Sequence, residues 1–373
     1  MLPCALVKGR SPHGPISISR LEPVGHDLHR PECVLAQKNG DLFVPDWRGG
    51  VTRIRLRPDS ALRASSRSRR SGSREGGQGY GETSPQLEER SRVGAEGSQE
   101  TWLVRTTHDV RPNGIALLPD GSFLLASLGG AGGVWRLERN GRLAPFVTEV
   151  DGVPLPPANF VTSDHLGRVW ISVSTRRAPR QDAWRPDVAD GFIVLVDDTG
   201  ARVVADGLHY TNEVRPDPSG TWLYVVETFG RRLTRFPLAR DGTLGLRETV
   251  VTLGHGCFPD GFAFDDEGGI WIASLVSNRL LRVHDGTIET VLEDANLEYM
   301  SAVERAFAAG EMGRDHLGPI SGTTLQQLTS VAFGGPDGHT VFLGTLHGRC
   351  VYRFRANVRG ARHSSVGEPD RIT

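Results

Sequence analysis

Short apolar runs, broken by proline, glycine and acidic turns, recur along this chain in one arrangement. The clearest copy is Phe258-Pro259-Asp260-Gly261-Phe262-Ala263-Phe264-Asp265-Asp266-Glu267-Gly268-Gly269-Ile270-Trp271-Ile272-Ala273-Ser274. A Pro-Asp-Gly corner, an apolar run, an acidic and glycine-rich turn and a second apolar run predict a strand, a tight hairpin and a second strand. The same order returns from Pro112 to Ser127, from Ala158 to Ser172 and from Thr211 to Val225. A further copy begins at Glu32-Cys33 and another at Thr329-Ser330.

Taking the residue after each corner as a landmark gives Glu32, Asn113, Asn159, Asn212, Asp260 and Thr329, spaced by 81, 46, 53, 48 and 69 residues. The first spacing holds a low-complexity stretch and the last holds the segment from Glu298 to Thr324. Without those, the period is about 50 residues, as for propeller blades of four short strands each. Six copies predict an all-β, six-bladed β-propeller with four-stranded blades around a central channel. Its expected bounds are 21–355, after a weakly patterned segment 1–20 and before a tail 356–373. Arg232 to Phe236, Arg279 to Val283 and Cys350 to Phe354 read as fourth strands. The alternation Ile16-Ser17-Ile18 is the candidate strand that closes the last blade from the other terminus. Ala302, Val303, Ala306, Phe307 and Met312 fall at helical spacing, which predicts an amphipathic helix over one end of the channel.

Composition changes this picture in one place. Residues 57–100 are rich in Ser, Arg, Gly, Glu and Gln and nearly free of apolar residues, so they bury too little surface to offset ordering and are expected to be a disordered insertion. Elsewhere 46 Gly and 23 Pro fit a turn-rich β protein. With 43 basic and 44 acidic residues, nothing in the charge balance points to nucleic acid or a membrane surface, and a small-molecule substrate is the expected partner. Cys4, Cys33, Cys257 and Cys350 form no C-x-x-C pair and are too few for a disulfide scaffold. No stretch reaches membrane-spanning length, and Met1 to Gly25 has no apolar signal core, so a cytoplasmic location is expected.

The candidate chemistry lies in the landmarks. The first strand of each blade lines a propeller's channel, so six landmarks should converge at one level: two carboxylates, three amides and a hydroxyl. Two close carboxylates repel one another and are costly to bury unpaired. A hard cation resolves this, because carboxylate and amide oxygens suit Ca²⁺, Mg²⁺ or Mn²⁺. A single Pro-Asn-Gly corner would be turn chemistry. Only Asn113 and Asp260 are followed by glycine, however, and turn chemistry does not account for a polar residue at all six positions. There is no G-x-S-x-G elbow, P-loop or helix-opening G-x-G-x-x-G. His108, His209 and His255 precede landmarks and are candidate proton relays. Arg176 and Arg177 are candidate holders of an anionic group.

From about Leu21 to Phe354 the chain resembles the gluconolactonase, senescence-marker-protein and luciferin-regenerating-enzyme family of six-bladed propellers. The most specific part is Pro259-Asp260-Gly261, Asp265-Asp266-Glu267-Gly268, Trp271-Ile272-Ala273 and Arg279-Leu280-Leu281-Arg282-Val283. The resemblance implies one divalent ion held by Glu32, Asn212 and Asp260, with Asn159 contacting ion, water or substrate and Asn113 beside the substrate. Ca²⁺ is the first expectation, with Mg²⁺, Mn²⁺ or Zn²⁺ as alternatives. It also implies lactone hydrolysis, in which a metal-activated water attacks the ester carbonyl and Asp260 serves as general base. The family often places an arginine where Pro157 stands and an aspartate where Phe160 stands, so the metal ligands carry over and the sugar-binding residues do not. A propeller that binds a metal or ligand without turnover is the alternative function.

Overall fold

The computed structural model describes residues 15–56, 88–94, 97–104, 106–319 and 322–361. Their strands form six blades of four or five strands around a channel, with one two-stranded ribbon, Glu149–Val150 against Val153–Pro154, outside the blades. The inner strands neighbour one another in ring order, and the ring closes where Leu35–Ala36 of the first blade meets Leu328–Gly334 of the sixth. Strands buried on both faces read as continuous apolar runs, and the second strands Phe123–Ser127, Val169–Val173 and Ile270–Ser274 are buried throughout. Adjacent blades share their cores. One cluster joins Phe43, Phe123, Phe160 and Phe236 from four successive blades. Completely burying such a side chain contributes about 1.5–3 kcal/mol.

The hairpin after an inner strand is held by its aspartate. Asp265 Oδ1 accepts from the Glu267 N–H at 3.0 Å and the Gly269 N–H at 2.6 Å, and Gly268 takes the left-handed φ of +85° that the turn requires. Asp265 Oδ2 also receives Trp271 Nε1 at 2.8 Å and Arg282 Nε at 2.6 Å. Blade three repeats this at Asp164 with Trp170 (3.0 Å) and Arg168 (2.6 Å). Asp41 with Arg53, Asp120 with Arg136 and Asp337 with Arg355 are further carboxylate–guanidinium pairs of the same kind.

Three expectations need correction. The strand that closes blade six is Glu22–Val24, paired antiparallel with Val351–Arg355, whereas Ile18–Arg20 is a short 3₁₀ turn. Arg232–Pro237, Arg279–His284 and Val351–Arg355 are third strands, not fourth. Within the low-complexity stretch, residues 57–87 and 95–96 lie outside the described residues, but Gly97–Leu103 pairs with Gly50–Leu56 as the fourth strand of blade one and Glu88–Gly94 adds a fifth. Cys4 and residues 362–373 also lie outside the described residues. Cys33, Cys257 and Cys350 form no disulfide among the described residues. No helix among the described residues is long and apolar enough to cross a membrane.

The expected helix is α1, Leu297–Ala309, capped by Asn296 and by the left-handed Gly310. It buries Met300, Val303 and Phe307 against Tyr210, Phe229 and Phe258, which immediately precede or flank the inner ends of blades four and five. Asn212 and Asp260 start from that same end.

Candidate metal and active site

The landmark residues are not in turns. Pro112–Leu117, Thr211–Pro216, Pro259–Phe264 and Leu328–Gly334 are strands that carry Asn113, Asn212, Asp260 and Thr329. In each of these strands the register slips around the landmark, between Pro112 and Ile115, Thr211 and Val214, Pro259 and Phe262, and Leu328 and Ser330. One extra residue on the inner strand is a β-bulge, a device that re-aims a side chain. The glycines after Asn113 and Asp260 serve close approach. A Cβ on Gly114 would stand 2.6 Å from Phe160 Cα, and one on Gly261 would stand 2.6 Å from Thr329 O and 2.7 Å from Glu213 Oε1. Two residues before a landmark the backbone turns left-handed at Arg30 (φ 58°), Tyr210 (φ 62°) and Gln327 (φ 64°). For a bulky residue this is strain, and strain of this kind collects at functional sites.

Glu32, Asn212 and Asp260 meet at the mouth of the channel. Asp260 is 8% exposed. Burial, and then the charges of Glu32 and Glu213, push its carboxyl well above the usual carboxylate range; the Arg30 charge and a hydrogen bond from Asn212 offset this in part. Arg30 forms its ion pair with Glu32 instead, Nε to Oε2 at 2.5 Å, while its guanidinium stacks over Trp47 at 3.9 Å. Asn212 Nδ2 also donates to Thr228 Oγ1 at 3.2 Å, and Thr329 Oγ1 donates to the Glu32 carbonyl at 3.0 Å.

Asn113 and Asn159 form a second group. Asn113 Nδ2 donates to Asn159 Oδ1 and to the Asn159 carbonyl, both at 3.1 Å, and Asn113 Oδ1 is buried with no hydrogen-bond partner. Asn159 Nδ2 donates to Ser174 Oγ at 3.0 Å, and Ser174 Oγ donates to the Thr211 carbonyl at 2.8 Å. Ser172 Oγ donates to the Asn212 carbonyl. Blade three is thus tied to the strand that carries Asn212.

Among the described residues no three His, Cys, Asp or Glu side chains gather to hold a metal. The donors at the mouth are two carboxylates with amide oxygens, a set suited to a hard cation and not to zinc chemistry. They fit one electrostatically. Among the described residues Arg30 balances Glu32, the Asp260 carboxylate has no such partner, and Asn113 Oδ1 is an unmet acceptor.

Sequence reasoning passed over three contributors. Glu213 follows Asn212, is buried, pairs with Arg215 at 2.9 Å and accepts from the Phe262 N–H at 3.2 Å; burial still leaves its carboxyl raised. Its one visible signal was an acid at the position where the Asn113 and Asp260 corners carry glycine. Arg30 and Ser174 had none. The three histidines are placed otherwise: His209 is held by the Glu227–Arg232 pair, His255 is exposed beside Glu304, and His108 stacks on Trp135 at 4.8 Å. Arg176 pairs with Asp206 at 2.8 Å and Arg177 with Asp190 at 3.8 Å.

The other end of the channel is different in kind. A cavity of about 480 Å³ opens there among Leu35, Ile115, Phe160, Arg215, Phe264 and Val331. Apolar side chains mix there with Lys38, His165 and Arg215, and its acid, Asp164, is tied to Arg168. Beneath the mouth, burial pushes the Cys33 thiol up to about 12, so it carries no thiolate for chemistry.

Comparison with known proteins bears on the fold and the family. A 6-deoxy-6-sulfogluconolactonase of Pseudomonas putida is 30% identical over 178 residues, 46% of this chain and 57% of that protein. An uncharacterized protein of Sulfolobus acidocaldarius is 24% identical over 203 residues, 53% of this chain and 62% of that one. The chain therefore spans less than two thirds of the length of these relatives. Among solved structures, the calcium-binding protein regucalcin of Agrobacterium tumefaciens superposes with a TM-score of 0.57 at 16% identity, covering 94% of this chain and 97% of that one. A gluconolactonase of Xanthomonas campestris gives 0.56 at 16%, covering 90% and 88%. At such identities these structures speak for the fold alone. The SMP-30/Gluconolactonase/LRE-like region matches residues 87–298, more than half of the sequence and the whole arc from blade two to blade five, and it is to this family that the chain belongs.

Proposed function

We propose that the protein hydrolyses a lactone or similar cyclic ester at the channel mouth, with one divalent cation held by Glu32, Asn212, Asp260 and Asn159. The observation that carries this reading is Asp260: a carboxyl beside two other acids, pushed up first by burial and then by their charges, and with no ion-pair partner among the described residues. Family membership and a sulfogluconolactonase relative support the reaction class. When bound, a divalent cation supplies Lewis-acid polarisation of the ester carbonyl and acidifies a water beside it.

The side chains have separable roles. Asp260 takes the proton of the attacking water, and its raised affinity for a proton suits a base that must later return one. Asn113 fixes Asn159 by donating to its Oδ1, and Asn113 Oδ1 is left to accept from a substrate hydroxyl. Phe258, Phe229 and Phe307 pack edge and face at 5.1–6.0 Å above blades four and five and exclude water from that side of the mouth. Ca²⁺ is the proposed ion, on the all-oxygen donor set.

The test is hydrolysis by chelator-stripped protein of aldonolactones and simple γ- and δ-lactones, with Ca²⁺, Mg²⁺, Mn²⁺ or Zn²⁺ added back. Cation-dependent turnover that disappears in Glu32→Gln and Asp260→Asn is expected. Cation binding without turnover of any lactone would replace this reading with a binding propeller.

A further inference from the structure

The segment between the second and third strands of blade three, residues 174–190, carries four arginines. Three of them are paired: Arg176 with Asp206 at 2.8 Å, Arg177 with Asp190 at 3.8 Å and Arg185 with Asp187 at 2.9 Å. Arg180 has no carboxylate partner among the described residues. It is half-buried on the short 3₁₀ turn Arg180–Ala183, and its Nε is buried without any hydrogen-bond partner. Its NH2 group lies 3.4 Å from Ser174 Oγ, the same oxygen that accepts from Asn159 Nδ2 at 3.0 Å. Its guanidinium carbon is 5.6 Å from the centre of the Tyr210 ring, two residues before Asn212. The turn is held by the segment that precedes blade six, where Arg314 Nε donates to Gln181 Oε1 at 3.1 Å.

A guanidinium presents five donors in a fixed fork that matches the oxygens of a carboxylate, sulfonate or phosphate. Among the described residues this one makes one long hydrogen bond, to a neutral hydroxyl shared with Asn159, beside the Tyr210 ring. A half-buried guanidinium whose Nε–H is buried and unmet gains a charge-assisted hydrogen bond when an anion reaches it. Pro157, at the start of the same blade, brings no charge to the mouth, whereas Arg180 brings one from a different segment.

We propose that Arg180 forms a subsite for an anionic substituent of the substrate, so that the favoured lactone carries a carboxylate, sulfonate or phosphate on its side chain. This rests on the lactonase reading and narrows its substrate class. Arg180 is a positioning residue: it touches the substituent and not the reacting carbonyl.

The test compares aldonolactones that differ only in the terminal group of the side chain, hydroxymethyl against carboxylate, sulfonate or phosphate. In wild type the charged member is preferred in kcat/KM. In Arg180→Gln the ratio of charged to neutral kcat/KM falls about 10- to 100-fold, mainly through KM, as for loss of a charged hydrogen bond. Arg180→Lys recovers part of it, and Ser174→Ala lowers both substrates together. The three anions rank by how well they fill the fork and so identify the natural group. Equal losses on charged and neutral lactones in Arg180→Gln, or no charge preference in wild type, would overturn the proposal. Calorimetric binding of the same pairs is measured in parallel. If no lactone is turned over, tighter binding of the charged member that is lost in Arg180→Gln keeps the subsite while the lactonase reading falls, and equal binding removes both.

Discussion

Asp260 and Asp265 stand at opposite ends of one inner strand, and both are buried, at 8% and 2% exposure. Their surroundings are opposite. Asp265 is met by Arg282, by Trp271 Nε1 and by the Gly269 N–H; burial alone would raise its carboxyl, and these partners outweigh it and hold the carboxyl below the usual range. Burial raises Asp260 as well, and here Glu32 and Glu213 add to the shift, while Arg30 and Asn212 offset it only in part. The hairpin end of the repeat uses its acid to build the blade. The mouth end leaves its acid unbalanced, and an unbalanced buried carboxylate is a site for a cation and for proton transfer. Residue type and burial do not distinguish the two; the partner does.

The comparison can be broken by substitution. Asp260→Asn keeps size and polarity and is expected to lower lactone kcat by about 10²–10⁴ with the fold retained, read by steady-state kinetics beside circular dichroism. Asp265→Ala is expected to act in the opposite sense, leaving activity per folded molecule unchanged. It strands Arg282 and Trp271 Nε1, and a broken buried pair costs about 3–5 kcal/mol, read by urea unfolding. If Asp265→Ala abolished turnover at unchanged stability, the division of labour would be wrong.

Acidity separates the same two residues. Asp265 has a lowered folded-state pKa, so the stability it contributes is present above its unfolded value near about 4 and is lost as pH falls through the folded value. Asp260 has a raised one, so its contribution is complete below about 4 and is lost as pH rises through the folded value. Thermal melts in chelator should therefore show wild type losing part of its stability on the alkaline side of pH 4, less so in Asp260→Asn. Asp265→Asn should remove part of the loss on the acid side. The smallest effect belongs to a pair outside the comparison. Arg176 and Asp206 are 43% and 56% exposed, and Arg176→Ala should cost about 0–1 kcal/mol and leave kinetics unchanged.

Much of this was legible in the sequence because the blade repeats in register. Once the period is seen, Glu32, Asn113, Asn159, Asn212, Asp260 and Thr329 must share a level of the channel, and a helix from apolar positions around Val303 and Phe307 must cover part of it. What stayed hidden depends on partners far apart in the chain or on irregular backbone. Glu22–Val24 closes the last blade through pairing with Val351–Arg355 and has no alternating pattern of its own. Gly97–Leu103 is a strand because Gly50–Leu56 offers it an edge, despite its polar composition. The bulges at Asn113, Asn212 and Asp260 come from register against neighbouring strands, and Pro-Asn-Gly or Pro-Asp-Gly reads locally as a turn. Glu213 and Arg30 matter only because other strands bring them beside Asp260.

The central claim is that the unbalanced charge at Asp260 holds a cation, and calorimetric titration of Ca²⁺ into chelator-stripped protein tests it most directly. One site per chain in wild type, lost in Asp260→Asn and kept in Asp265→Asn, is the predicted result. Unchanged binding in Asp260→Asn, or no binding of Ca²⁺, Mg²⁺ or Mn²⁺ by wild type, would contradict it.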